Sequence, residues 1–192
     1  MTGTWKQKLG VVLGSFFLAQ AAQASAIWAG NGHEYGVITS EGITWTAAQG
    51  ATLGLGSGWH LATITSEQED AFVASLLPTN PSQRSHYWLG ATDAANEGSF
   101  EWVTGESFSY TNWWGGEPNN VFDEDFLAYD FRSGWAFNDA PDNLGQIYGY
   151  ARGYVIERVS PNTRNVPEPG SLALLGLGLA TLGLQSRRRK MK

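Results

Sequence analysis

Residues 113–139 constrain this chain more than any other segment. They read Trp113-Trp114-Gly115-Gly116-Glu117-Pro118-Asn119-Asn120, then Asp123-Glu124-Asp125, then Trp135-Ala136-Phe137-Asn138-Asp139. Five hard-oxygen side chains (Glu117, Asn119, Glu124, Asn138 and Asp139) recur in a loop-rich stretch, with a proline between the first two. Carboxylate and amide oxygens suit Ca²⁺, which takes six to eight such ligands in irregular geometry. An X-Pro bond reaches the cis form at a cost of only about 0.5–1 kcal/mol. A cis bond at Pro118 would turn Glu117 and Asn119 toward one point. Carboxylate–amide pairs around the ion would also hydrogen-bond the vicinal hydroxyls of a sugar, so the residues point to a calcium-dependent glycan site.

The ends of the chain carry export signals. Lys6 and Lys8 precede an apolar run from Leu9 to Ala19, and Ala22-Gln23-Ala24 or Ala24-Ser25-Ala26 supplies a small-x-small cleavage site. This is the pattern of a signal peptide over residues 1–26; a buried N-terminal helix is the alternative. At the other end, Pro167-Glu168-Pro169-Gly170 leads into an apolar run, Leu172 to Leu184, and then Arg187-Arg188-Arg189-Lys190. That run is shorter than the roughly 20 residues that span a bilayer comfortably. The basic cluster should stay cytoplasmic and hold the rest of the chain outside. The expectation is transient membrane insertion, with a short tail anchor as the alternative.

Between those ends the composition excludes several functions. Residues 27–166 hold five basic residues against seventeen acidic ones, a net charge of −12. Such a surface repels nucleic acid and anionic membranes and suits divalent cations and neutral glycans. About 140 residues suffice for one domain with one core. Glycine is frequent and long apolar helical patterns are few, so the expected class is a loop-rich α+β fold. Ile43 to Ala48 reads as a first helix. Ser66 reads as the N-cap of a second, with Glu69 at the capping-box position and an end before Pro78. Tyr87-Trp88-Leu89, Ser99 to Val103, Phe126 to Tyr129 and Gly149 to Glu157 read as strands.

Several ordered segments resemble the C-type lectin domain family. Glu117-Pro118-Asn119 resembles its Glu-Pro-Asn motif and Asn138-Asp139 the end of its Trp-Asn-Asp motif. Glu124 falls where that family places an intervening acidic ligand, although Asp123 or Asp125 would serve in a shorter loop. Gly58-Trp59-His60-Leu61-Ala62, Trp88-Leu89-Gly90 and Gly98 to Trp102 resemble its upstream segments, so the likeness spans roughly residues 27–158. It implies a domain over residues 27–159 with two helices, small antiparallel sheets and a long calcium- and sugar-binding loop region. A linker follows at 160–166. The tail at 167–192 resembles the bacterial PEP-CTERM sorting signal, which implies an exosortase-type processing enzyme as partner. The expected location is the surface or extracellular matrix of a Gram-negative bacterium.

The resemblance implies Ca²⁺ held by Glu117, Asn119, Glu124, Asn138 and Asp139. It implies a mannose-type sugar, or an exopolysaccharide bearing one, bound by Glu117, Asn119, Glu124 and Asn138. Trp114 is a candidate for stacking on the sugar, and Trp113 for the core. Two departures stand out. The chain has no cysteine, whereas the resembled domains usually carry two disulfides; Phe126 and Ile156 stand at two expected half-cystine positions. Phe137 replaces the motif tryptophan, a space that Trp135 would fill instead. Asp93, near a strand end, reads as a turn residue or a member of an auxiliary ion site. A glycosidase pair of Glu117 and Asp139 would require a free carboxylate, which five oxygens converging on one ion do not leave. The chain is therefore expected not to be an enzyme. The alternative function is a non-sugar extracellular module that binds protein or serves a structural role in an exopolysaccharide matrix.

Overall fold

The computed structural model describes residues 25–79, 81, 85–144 and 150–161. The expected signal peptide at 1–26, apart from Ser25 and Ala26, and the tail at 167–192 therefore lie outside the described residues.

Local signals set both helices. Helix α1 (Trp45–Thr52) starts at Thr44, whose hydroxyl accepts from Ala47 N at 3.1 Å. It runs four residues past the expected end at Ala48. Helix α2 (Glu67–Ser75) starts at Ser66, whose hydroxyl accepts from Glu69 N at 3.3 Å, and it ends before Pro78 as expected. The return arm of the capping box goes elsewhere. Glu69 Oε2 takes the backbone N–H of Thr65, at 2.7 Å, together with its hydroxyl.

The strands are β1 (Ala26–Ile27), β2 (His33–Thr39), β3 (His60–Leu61), β4 (Ser85–Thr92), β5 (Glu101–Trp102), β6 (Phe126–Asp130), β7 (Ala136–Ala140) and β8 (Tyr150–Val159). They join into one mixed sheet in the order β1-β2-β8-β4-β6-β7, with β3 attached to β8 and β5 to β4. The pairing of β4 with β8 is parallel and the other pairings are antiparallel. The α+β class therefore stands, with a single connected sheet in place of separate small ones.

Period-two alternation divides the core between the two faces of this sheet. Tyr87, Leu89 and Ala91 of β4 join Tyr35, Val73 of α2, Leu127, Tyr129, Phe137 and Val155 in one cluster. Trp88, between them, joins Trp45 and Ala48 of α1, Ala128, Tyr154 and Ile156 in the other. The helices thus cover opposite faces. Between β4 and β3 the backbones lie so close that a Cβ on Gly90 would sit 2.6 Å from the Leu61 carbonyl oxygen.

Apolar packing occupies the places where the resemblance implies disulfides. The Phe126 ring packs on Trp45 with centroids 4.7 Å apart, and Ile156 is buried in the same cluster. The motif position resolves differently from expectation. Phe137 itself fills the core against Tyr110, Trp113 and Tyr129. Trp135 packs separately on Tyr87 and Phe131; it lies just before β7, with its backbone in the left-handed region at φ 69°, so it does not continue the strand that carries Phe137.

Candidate functional site

The edge of β7 organises the loop region. Phe137 N donates to Asn112 O at 2.7 Å and Trp114 N donates to Phe137 O at 2.9 Å, so residues 112–114 dock on the strand that carries Asn138 and Asp139. A tight turn follows, closed by Glu117 N donating to Trp114 O at 2.9 Å. Gly116 sits at its third position with φ 101°, which glycine adopts without a Cβ clash. The Glu117–Pro118 peptide is cis. Glu117 Oε2 accepts from the Asn119 side-chain amide.

Three carboxylates meet beyond that turn. Oxygens of Glu117, Glu124 and Asp139 all lie within 4.8 Å of one another. Asp139 Oδ2 accepts the backbone N–H of Asn119 at 2.9 Å and of Asn120 at 2.8 Å. Glu124 Oε2 accepts from Val121 N at 3.0 Å, while Asn120 Oδ1 accepts from Glu124 N at 2.8 Å. Asp139 Oδ1 is buried with no hydrogen-bond partner.

Electrostatic repulsion marks the cluster. Burial, then the hydrogen bond and charge of Asp139, push the Glu117 carboxyl up to about 7 against the opposing pull of Arg132. Burial and the Asp139 charge likewise push Glu124 up to about 7, against the Val121 N–H. A group of like charges with an unsatisfied buried oxygen favours either a proton or a cation. Hard oxygens at this density fit Ca²⁺.

The residues expected at the site are placed unequally. Glu117, Glu124 and Asp139 come together. Asn119 hydrogen-bonds within the group through its side chain and its N–H. Asn138 is buried beside Asp139, with its amide donating to the Asp139 carbonyl rather than to a carboxylate of the cluster. The choice among the acidic triplet separates cleanly: Asp123 and Asp125 group instead with Glu97, again within 4.8 Å. Asp93 is buried, with Oδ2 accepting from Gly98 N at 2.8 Å in a turn and Oδ1 unpartnered. Trp113 packs among Phe100, Phe108 and Phe137. Trp114 is half-buried, and the Arg132 guanidinium lies over its ring, 4.5 Å from the centroid. Nothing in the local sequence around Arg132 signals that contact, which depends on the fold.

Residues 41–143 match the Lectin C-type domain family. The chain belongs to the C-type lectin domain family. Members of this family are binding modules and not enzymes, as the sequence leads one to expect. The perlucin-like protein of Mytilus galloprovincialis is 34% identical over 84 residues, covering 43% of this chain and 53% of that protein. The chain thus spans about half the length of that curated relative. The crystal structure of the C-type lectin CEL-I from Cucumaria echinata aligns with a TM-score of 0.57 at 27% identity, covering 65% of this chain and 89% of the other. The cow CD23 C-type carbohydrate-recognition domain, crystallised in the presence of a GlcNAc2Man3 oligosaccharide, aligns with a TM-score of 0.56 at 27% identity, covering 67% and 88%. Behind the lectin domain, residues 165–189 match the PEP-CTERM protein-sorting motif, which implies export and sorting to the cell surface.

Proposed function

We propose that residues 27–159 form a calcium-dependent carbohydrate-binding domain with a preference for mannose-type sugars. The observation that carries this reading is the convergence of Glu117, Glu124 and Asp139 within 4.8 Å, with Asp139 Oδ1 buried and unpartnered. Glu117, Asn119, Glu124, Asn138 and Asp139 would hold the ion. When bound, Ca²⁺ supplies a charge centre that neutralises the carboxylates and takes hydroxyl oxygens of the sugar.

The side chains set the preference. Glu117 only accepts hydrogen bonds, whereas Asn119 also offers an NH₂ donor. Donor and acceptor are therefore disposed asymmetrically, which suits two equatorial vicinal hydroxyls such as the 3- and 4-hydroxyls of mannose, N-acetylglucosamine or glucose. Fucose is included by the same order, and galactose is disfavoured. The presence of an oligosaccharide with mannose in the cow CD23 crystal is consistent with this class. The sorting motif, whose matched residues include the apolar run and Arg187 to Arg189, supports handling by an exosortase-type enzyme and delivery to a glycan or exopolysaccharide outside the cell. A glycan array run with calcium and again with EDTA tests the proposal. Binding that is lost in EDTA supports it; a ligand retained in EDTA points to a non-sugar module.

A further inference from the structure

Resting on that reading, we propose that Arg132 is a positioning residue of the ion site. Acting through the Trp114 ring, it holds the turn that delivers Glu117, so that the cluster is assembled before an ion arrives.

The turn lacks an anchor of its own. Between Trp114 and Glu117 stand only Gly115 and Gly116, both exposed, and a Cβ added at either would meet nothing within 4 Å. Trp114 is therefore the last side chain before Glu117 that can fix the turn. Its backbone is engaged on both sides: its N–H donates to Phe137 O and its carbonyl accepts from Glu117 N, each at 2.9 Å. Where the indole is held thus decides where Glu117 begins.

Asp130 sets Arg132 against that ring. Arg132 lies in the short connection between β6 and β7, a single 3-10 turn over Phe131–Ser133 that Asp130 caps. Asp130 Oδ1 accepts from Arg132 N at 2.8 Å, while Oδ2 accepts from Nε at 2.5 Å and pairs with a terminal guanidinium nitrogen. The Asp130 side chain is fully buried and that of Arg132 is 34% exposed. A planar guanidinium gripped along its edge keeps its face free for an aromatic ring. That face meets Trp114, with the central carbon 4.5 Å from the ring centroid. Asp130 has already ordered the long side chain, so the stack costs little further entropy.

Geometry rather than charge carries the effect to the ion. The guanidinium pulls the Glu117 and Glu124 carboxyls down against burial, but Asp130 pushes Glu117 the other way. The field of the pair is therefore small at the cluster, and the ring is the route that remains.

The test is calcium titration by calorimetry on Arg132→Gln, Arg132→Lys, Trp114→Leu and the paired Arg132→Gln/Trp114→Leu variant. Arg132→Gln should weaken calcium binding about fivefold, the ratio equivalent to the roughly 1 kcal/mol of a cation on an aromatic face. Arg132→Lys offers Asp130 a single ammonium and the ring no plane. It should weaken calcium by a similar factor while keeping the buried carboxylate paired and the melting temperature in EDTA close to that of the unaltered protein. On Trp114→Leu, adding Arg132→Gln should cause no further loss, as expected of residues that act as one unit. At saturating calcium the ion itself holds Glu117, so Arg132→Gln should leave mannose affinity unchanged. Unchanged calcium affinity in Arg132→Lys, additive losses in the paired variant, or weaker mannose binding by Arg132→Gln at saturating calcium overturns the assignment while leaving the proposed function standing. Failure of the unaltered protein to bind calcium overturns the proposed function and this inference together. Failure to bind mannose alone overturns the sugar preference, and the calcium titrations still decide the role of Arg132.

Discussion

Asn112 donates its side-chain amide to Asp70 Oδ2 at 2.7 Å, so helix α2 holds the loop that leads into Glu117. Tyr110 donates to the same oxygen at 3.0 Å, and the hydroxyl of the buried Tyr129 in β6 donates to Oδ1. Burial raises the Asp70 carboxyl above its usual range, opposed by these three hydrogen bonds. One carboxylate thereby ties helix, sheet and loop together.

Asp70→Ala should therefore destabilise the domain by about 3 kcal/mol, since buried donors left without an acceptor cost about 1–3 kcal/mol each. Urea denaturation should show a lower midpoint with an unchanged slope. The loop is held from the core side, so calcium affinity should fall as well. A variant with an unaltered midpoint would show that the clasp is dispensable.

Calcium should bind weakly, with a Kd on the order of 10⁻⁴–10⁻³ M as in extracellular modules. Millimolar calcium should raise the melting temperature, because an ion held only by the folded state stabilises it. Asp139→Asn and Glu124→Gln should each abolish that rise by removing a charge from the cluster. Scanning calorimetry with no calcium-dependent shift in the unaltered protein would refute the metal site.

Exchanging donor and acceptor order tests the basis of sugar choice. Glu117→Gln combined with Asn119→Asp keeps shape and total charge and reverses the hydrogen-bond polarity. Preference should move from mannose-type toward galactose-type sugars on the same array. An unchanged ranking would mean that polarity at these two positions does not set specificity.

The acid limb of stability should report on Asp130. Burial raises its carboxyl, but His86, with Nε2 at 3.2 Å, and Arg132 outweigh that and hold it at about 2. A depressed carboxyl contributes stability above its unfolded value, about 3.9, and that contribution is lost as pH falls through 2. Asp130→Asn should lower the melting temperature at pH 7 and flatten its decline between about pH 4 and 2. Because Asp130 also holds Arg132, the Arg132–Trp114 stack should loosen, with a visible change in tryptophan fluorescence.

Much of the site was legible because its signals are local. Ser66 capped α2 as its hydroxyl and position implied, and Glu117, Asn119 and Asp139 came together around a proline and a two-glycine turn. What the sequence left open depends on partners far along the chain. The parallel pairing of β4 with β8, which makes one sheet out of several short strands, joins Trp88 to Tyr154, a relation no neighbouring residue encodes. Trp135 was misplaced for the same reason: its choice of Tyr87 over Trp113 is decided by packing. The assignment of Glu124 rather than Asp123 or Asp125 to the main cluster depended on a loop with three positive-φ residues, a path that side-chain chemistry alone does not dictate.

The tail makes a prediction independent of the lectin fold. Mass spectrometry of the extracellular protein should find a C-terminus near Pro167–Gly170. Replacing Arg187, Arg188 and Arg189 with Ser should impair this processing by removing the cytoplasmic stop. Recovery of intact chains ending at Lys192 from a processing-competent host would favour a retained tail anchor.

With the Phe126 ring on Trp45 and Ile156 buried where half-cystines would stand, this domain has no redox state. Thiol reductants should leave its melting curve untouched, and it needs no oxidase or disulfide isomerase to mature. Its covalent cross-linking is the same on either side of a membrane, since it has no cysteine to oxidise. A cell exporting it to a surface of changing oxygen tension would therefore deliver a binding activity that does not vary with that tension.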